Sequence, residues 1–275
     1  MVSTATILAC IFTLIVCMAF PGLLLILFAL KYKKEKIFSA WLLGAAGFFV
    51  TQMVIRVPIL MVLQNQSWFV AFSQKNLFLY AFALAFTAGL FELAGRFAVA
   101  KLMAKNLTFR RSLAAGLGHG GIEAMLLVGM TYVNNLIYIV MINSGAFEPL
   151  IAEAAAMGVD VTQLEMIKTQ LISASPALFL LASLERVLTM VCHTAMSLIV
   201  CYGVASRKTL PCLLICLGIH TLLDLTAGVA MLANGSLNQF GMYLIIYLIL
   251  ALAAVLSLLM IRKLRSRWPQ KEVIL

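Results

Sequence analysis

Residues 240–260 read FGMYLIIYLILALAAVLSLLM, 21 positions without one charged side chain. As a helix this run rises ~30 Å, the thickness of a bilayer's hydrocarbon core. No water is available there to satisfy backbone N–H and C=O groups, so the segment must close its hydrogen bonds internally, and a helix does so. Six more runs of the same kind precede it, at residues 3–29, 37–63, 77–100, 112–142, 176–204 and 210–232. Alternating ten-residue strands, the mark of a membrane barrel, do not occur. The expected fold is all-α, a polytopic membrane helical bundle with about seven transmembrane helices, built as a single integral-membrane domain over residues 1–275.

Composition agrees. Hydrophobic residues make up 64% of the chain and charged residues 11%, and the mean hydropathy of +1.07 exceeds what one soluble core can hide. The formal charge of +10 raises the question of nucleic acid. The basic residues, however, sit in short clusters between apolar runs, where no basic face can form, so no nucleic acid is expected; the lipid bilayer with its anionic headgroups is the partner that explains them.

The same clusters set an expected orientation. Lys31 to Lys36, the stretch holding Lys101, Lys105, Arg110 and Arg111, the pair Arg207 and Lys208, and the tail from Arg262 to Lys271 are basic. The intervening connections hold Lys75 and Lys168 with Glu148, Glu153, Asp160 and Glu165. Every second connection is basic, which places the N-terminus outside and the C-terminus in the cytoplasm. No basic region precedes the first apolar run, so that run reads as a span and not as a cleavable signal. Ile7-Leu-Ala-Cys10 has some likeness to a lipoprotein cleavage site, but too few residues precede the cysteine. All six cysteines fall in apolar helices, where cysteine is usually a small buried hydrophobe. The long connection, about residues 144–175, should face outside and contain a short amphipathic helix, since Thr162-Gln-Leu-Glu165 has the form of a capping box.

Against this apolar background the ionisable residues stand out, because each costs several kcal/mol in lipid unless paired, hydrated or metal-bound. Phe91-Glu-Leu-Ala-Gly-Arg96 places Glu92 and Arg96 on one helix face, as a self-neutralising ion pair or as a base oriented by its arginine. Gly118-His-Gly-Gly-Ile-Glu123 does the same for His119 and Glu123, with glycines that either permit close packing or loosen the helix. His220-Thr-Leu-Leu-Asp224 repeats the spacing: a polar clamp, or a carboxylate fixing the tautomer of a ligand histidine. His193 stands two turns after Glu185-Arg186, too far along the helix to share a small site with Glu185. Glu185 and Arg186 read as structural, with Arg56 as a candidate partner.

Depth joins these pairs. Counted from the nearest cytoplasmic charge at ~1.5 Å per residue, Glu92, His119, Glu123, His193 and His220 all lie ~12–21 Å inside. This puts a catalytic layer within about residues 85–230. Two histidines and a glutamate with one position left for water form the ligand set of a hydrolytic zinc site, here Glu123, His193 and His220, and a further carboxylate can take a proton from that water. In a metal-free version glutamates activate the water and histidines stabilise the oxyanion. Residue spacing leaves both open.

Taken in order, the Glu92-x-x-x-Arg96 pair, the helix with Gly118 and Glu123, the helix with Glu185-Arg186 and His193, and His220-x-x-x-Asp224 resemble the YhfC family of intramembrane metalloproteases. The set is more distantly similar to the PrsW proteases and the CAAX-protease and bacteriocin-processing superfamily. The resemblance covers Arg56 to about Asp224. It implies a multi-pass protein of the bacterial plasma membrane that hydrolyses a peptide bond in a membrane protein or peptide substrate. It also implies that Glu92, Glu123, His193 and His220 build the centre, with Arg96 and Asp224 orienting it. The double glutamate common at the start of the first motif in those relatives is here Phe91-Glu92, and His119 is an extra imidazole beside Glu123. A proton- or metal-coupled transporter is the second reading, since acid and histidine relays also mark ion pathways. The absence of an inverted repeat and the layered, not linear, placement of the polar residues argue against it.

Overall fold

The computed structural model describes residues 1–232 and 239–269, and every regular element among them is helical. Among the described residues, seven helices are long and apolar enough to cross a membrane: Thr4–Lys31, Ile37–Gln64, Leu77–Leu102, Phe109–Ser144, Pro176–Ala205, Thr209–Thr226 and Gly241–Ser266. They are called the first to seventh spans below. Their outer faces carry large exposed side chains such as Phe12, Leu27, Phe78, Leu214 and Leu252, a surface suited to lipid and not to water. The chain is therefore an all-α, multi-pass membrane protein. The end of the basic tail at Lys271 lies outside the described residues.

The helices collect into two compact units, each described by itself. The first comprises Met1–Leu23 and Ala124–Val187. Its apolar cluster includes Ala9, Cys10, Tyr132, Ile139, Leu171 and Phe179. The Phe179 carbonyl accepts hydrogen bonds from the Thr13 hydroxyl at 2.8 Å and the Tyr132 hydroxyl at 2.9 Å, and the Val2 amide donates to Asn143 Oδ1 at 2.7 Å. The connection after the fourth span contains two helices, Phe147–Ala156 and Thr162–Ser173, where the capping-box pattern indicates one. The capping box itself does not form. Val161 occupies the cap without a side-chain bond, and the Thr162 amide donates instead to Asp160 Oδ1 at 2.9 Å. Donation from the Thr162 hydroxyl, together with that from its amide, holds the Asp160 carboxyl below the usual range. Lys168 pairs with Glu148 across the two short helices, and Glu185 pairs with its neighbour Arg186.

The second unit comprises Leu24–Glu123 and the chain from Leu188 onward. It holds every residue of the predicted layer. Its core is made largely of small side chains, among them Ala40, Ala100, Ala114, Ala115, Cys192 and Cys216, which allows helix backbones to approach closely. A Cβ at Gly44 would overlap the Ala115 carbonyl, and one at Gly118 the Trp41 carbonyl, so the second and fourth spans touch backbone to backbone. A Cβ at Gly120 would sit 3.2 Å from the Met190 Cα and 3.1 Å from the His193 Cβ, which seats the fifth span on the fourth. The glycines around His119 thus serve close packing, and the helix is regular over Phe109–Glu123. Gly118→Ala should therefore cost about 1–3 kcal/mol or more, because only a backbone shift can make room for the methyl group. Unfolding of the purified variant in mixed micelles measures the loss.

Two spans widen into π-helical turns beside the layer. In the second, Phe49–Arg56 is π-helical between Ile37–Phe48 and Val57–Gln64. The cause is Pro58, which has no N–H to offer the carbonyl four residues back and favours a rearranged turn before it. The Val57 amide reaches back to the Gln52 carbonyl. In the fourth span the widened turn, Ala124–Gly129, begins directly after Glu123. Such turns recur at functional sites.

Candidate metal centre

Glu92 is the hub of the site. It projects from the third span with only 4% exposure, next to Arg96 at 3%. A bare carboxylate at that depth would cost several kcal/mol, and five polar side chains surround it. Arg96 Nη2 donates to Glu92 Oε2 at 3.0 Å, the one-turn pair that the spacing predicts. His119 Nε2 lies 2.9 Å from the same oxygen, His193 Nδ1 3.5 Å and His220 Nε2 3.7 Å. The other oxygen, Oε1, accepts from Gln52 Nε2 at 2.9 Å.

Glu123 and His193 form the second centre of gravity. His193 Nε2 is 3.1 Å from Glu123 Oε2, and its Nδ1 is 2.7 Å from Arg96 Nη2. A guanidinium can only donate, so Nδ1 accepts and the neutral ring carries its proton on Nε2, toward the glutamate. His119 stacks on His193 with centroids 5.7 Å apart, and His220 meets His193 edge to face at 5.3 Å. The Phe48 ring stands edge-on to His119 at 5.3 Å and closes one side. His220 Nε2 is also 3.5 Å from Asp224 Oδ2, the half-exposed carboxylate of the layer. All seven residues singled out by spacing thus share one cluster. Glu92, His119, Glu123 and His193 offer ligand atoms that all lie within 4.8 Å of one another, and His220 stands beside this group of four.

Sequence reasoning missed Gln52 and misplaced Arg56. Arg56, read from the sequence as a candidate partner of Glu185 and Arg186, finds acceptors within its own unit. It donates to the Leu84 carbonyl at 2.7 Å, to Thr87 Oγ1 at 3.4 Å and to Gln52 Oε1 at 3.3 Å. The available signal was Gln52-Met-Val-Ile-Arg56, two polar side chains four residues apart in an apolar run.

The donor set is of a kind that could hold a metal ion. Zinc bonds of ~2.0–2.2 Å in a tetrahedron set ligand atoms roughly 3.3–3.5 Å apart. The separations of 2.9 Å from His119 to Glu92 and 3.1 Å from His193 to Glu123 fall near that span. Two carboxylates and two imidazoles, all buried, are the hard and borderline donors that zinc takes, and Arg96 offsets the charge of the nearer carboxylate. The six cysteines are free and buried, and none belongs to the group.

Comparison with known proteins points the same way. The model of the YhfC intramembrane metalloprotease family matches residues 17–250. The chain is similar to the uncharacterized membrane protein YhfC of Bacillus subtilis (strain 168), with 29% identity over 206 residues, 74% of this chain and 77% of the relative. No solved structure gives a significant match.

Proposed function

The chain belongs to the YhfC intramembrane metalloprotease family, and on that premise we propose that it is an intramembrane peptidase whose metal centre is the buried glutamate and histidine layer. The observation that supports this most is the approach of four buried donors from three spans, Glu92, His119, Glu123 and His193, to within 4.8 Å of one another. A structural scaffold has no need of so costly a cluster. Glu123 and His193 are ligands in this reading. His119 takes the third place by proximity, while His220 serves beside it. Zinc so held would polarise the peptide carbonyl and make its bound water acidic near neutral pH.

The protein's own groups divide the remaining work. Glu92 Oε2, fixed by Arg96, is the proton acceptor. His220 Nε2, 3.7 Å from Glu92 Oε2 and 3.5 Å from Asp224 Oδ2, is placed to carry that proton to the leaving amide nitrogen. Asp224, at the exposed edge of the layer, holds the His220 ring. The substrate is a membrane protein or peptide, because the site lies within apolar spans. One contact favours a second arrangement: Arg96 on His193 Nδ1 at 2.7 Å leaves the neutral ring's Nε2 protonated, which suits an oxyanion donor beside a glutamate-activated water.

Cleavage of fluorescein-labelled casein in detergent micelles tests the peptidase reading. Turnover should be blocked by 1,10-phenanthroline, restored by zinc, and lowered by about 100-fold or more in Glu92→Gln. Cleavage that persists in that variant, or metal flux through the bundle without cleavage, would contradict it. The reading also carries the orientation expected from the basic connections. With the native cysteines buried, a cysteine introduced at Lys34 should react with an impermeant maleimide only after cell lysis, and one at Glu153 in intact cells. The reverse pattern would turn the bundle over.

A further inference from the structure

Gln52 is 5% exposed on the π-helical turn of the second span, and its amide has two ends that different neighbours claim. Arg56 Nη1 approaches Oε1 at 3.3 Å. An arginine can only donate, so the oxygen of the amide must face it and the nitrogen must face the other way. There Nε2 donates to the Ala88 carbonyl at 3.1 Å and to Glu92 Oε1 at 2.9 Å. Arg56 is itself tied to the Leu84 carbonyl and the Thr87 hydroxyl, one to two turns before Glu92 on the same helix. The guanidinium, the amide and the carboxylate therefore form an ordered relay in which each group settles the orientation of the next.

The consequence is an asymmetry in Glu92. Oε1 is occupied by Gln52, while Oε2 faces Arg96, His119, His193 and His220. Without Gln52 the carboxylate could rotate about its terminal torsion, which is a broad two-fold well, and exchange the two oxygens. We infer that Gln52, set by Arg56, is a positioning residue of the hydrolytic reaction: it holds the Glu92 carboxylate so that Oε2 alone receives the proton. This rests on the reading of Glu92 as proton acceptor. Neither Gln52 nor Arg56 is a ligand in this account, and neither touches substrate.

Infrared spectroscopy of the full chain labelled with 13C-glutamate reads the interaction without turnover. The asymmetric carboxylate stretch of Glu92, assigned by its loss in Glu92→Gln, should shift in Gln52→Met, which removes the donor at nearly constant volume. Arg56→Met should shift it less, since the amide remains but loses its fixed sense. With labelled casein as substrate, Gln52→Met should lower kcat about 10–100-fold, the range expected for an outer-shell partner, with KM and zinc content unchanged. In a Glu92→Gln background the same substitution should cause no further loss. A Glu92 band that does not move in either variant overturns the inference, as does an equal loss of kcat in the Glu92→Gln background. A band that shifts in a chain that cleaves nothing sinks the peptidase reading and with it the catalytic use of Gln52, whereas an unmoved band with cleavage intact sinks this inference alone.

Discussion

Replacing Arg96 with methionine should cost about 3–5 kcal/mol of stability, the usual loss when one partner of a buried ion pair is removed and the other charge is left behind. Arg96 Nη2 is 3.0 Å from Glu92 Oε2 and 2.7 Å from His193 Nδ1, and both charged side chains are almost wholly buried. The stranded carboxylate would keep Gln52 and the imidazoles but lose its counter-charge. The double variant Arg96→Met/Glu92→Gln should be less damaging than Arg96→Met alone, because it removes the unpaired charge as well as the pair. Unfolding of all four proteins in dodecylmaltoside–SDS mixtures gives the coupling energy. Additive losses would show that the two charges do not depend on each other.

Much of this arrangement was legible in the chain, for physical reasons that differ from element to element. The seven spans follow from length and hydropathy, because a bilayer leaves the backbone only one economical form, and each predicted run overlaps one observed span, with ends that differ by up to six residues. The Glu92–Arg96 pair and the approach of His220 to Asp224 follow from one-turn spacing in helices that remain regular there. The common layer follows from counting residues inward from basic connections.

What was not legible has causes as specific. Gln52 was hidden because its turn is π-helical, so the projection of an ideal helix gives the wrong face, and because an amide in an apolar run carries no charge to mark it. Pro58 was the local warning. Arg56 was assigned a distant carboxylate when carbonyl and hydroxyl oxygens on the adjacent helix take its donors, a choice that only packing reveals. His119 gained a direct bond to Glu92 for the same reason: spacing pairs it with Glu123 on its own helix, while in the fold the Glu92 carboxylate of the third span reaches its Nε2 at 2.9 Å. In the connection after the fourth span, Asp160 caps the helix that the Thr162 pattern would have capped, since a side chain two residues back reaches the Thr162 amide at 2.9 Å.

The largest functional effect is expected at the ligands. Glu123 and His193 belong both to the set chosen by sequence spacing and to the group of mutually close donors. In the proposed centre, loss of either would remove one zinc bond together with the 3.1 Å contact between the two side chains. Zinc affinity should fall by at least about 100-fold in Glu123→Gln and in His193→Ala, more than the 10–100-fold typical of residues that only support a ligand. Zinc-edge X-ray absorption on the purified chain, titrated with one equivalent of the metal, addresses the centre itself. The account predicts tightly bound zinc with nitrogen and oxygen ligands at about 2.0–2.2 Å and imidazole scattering, lost in both variants. Sulfur ligands at about 2.3 Å, or binding that both variants retain unchanged, would contradict it.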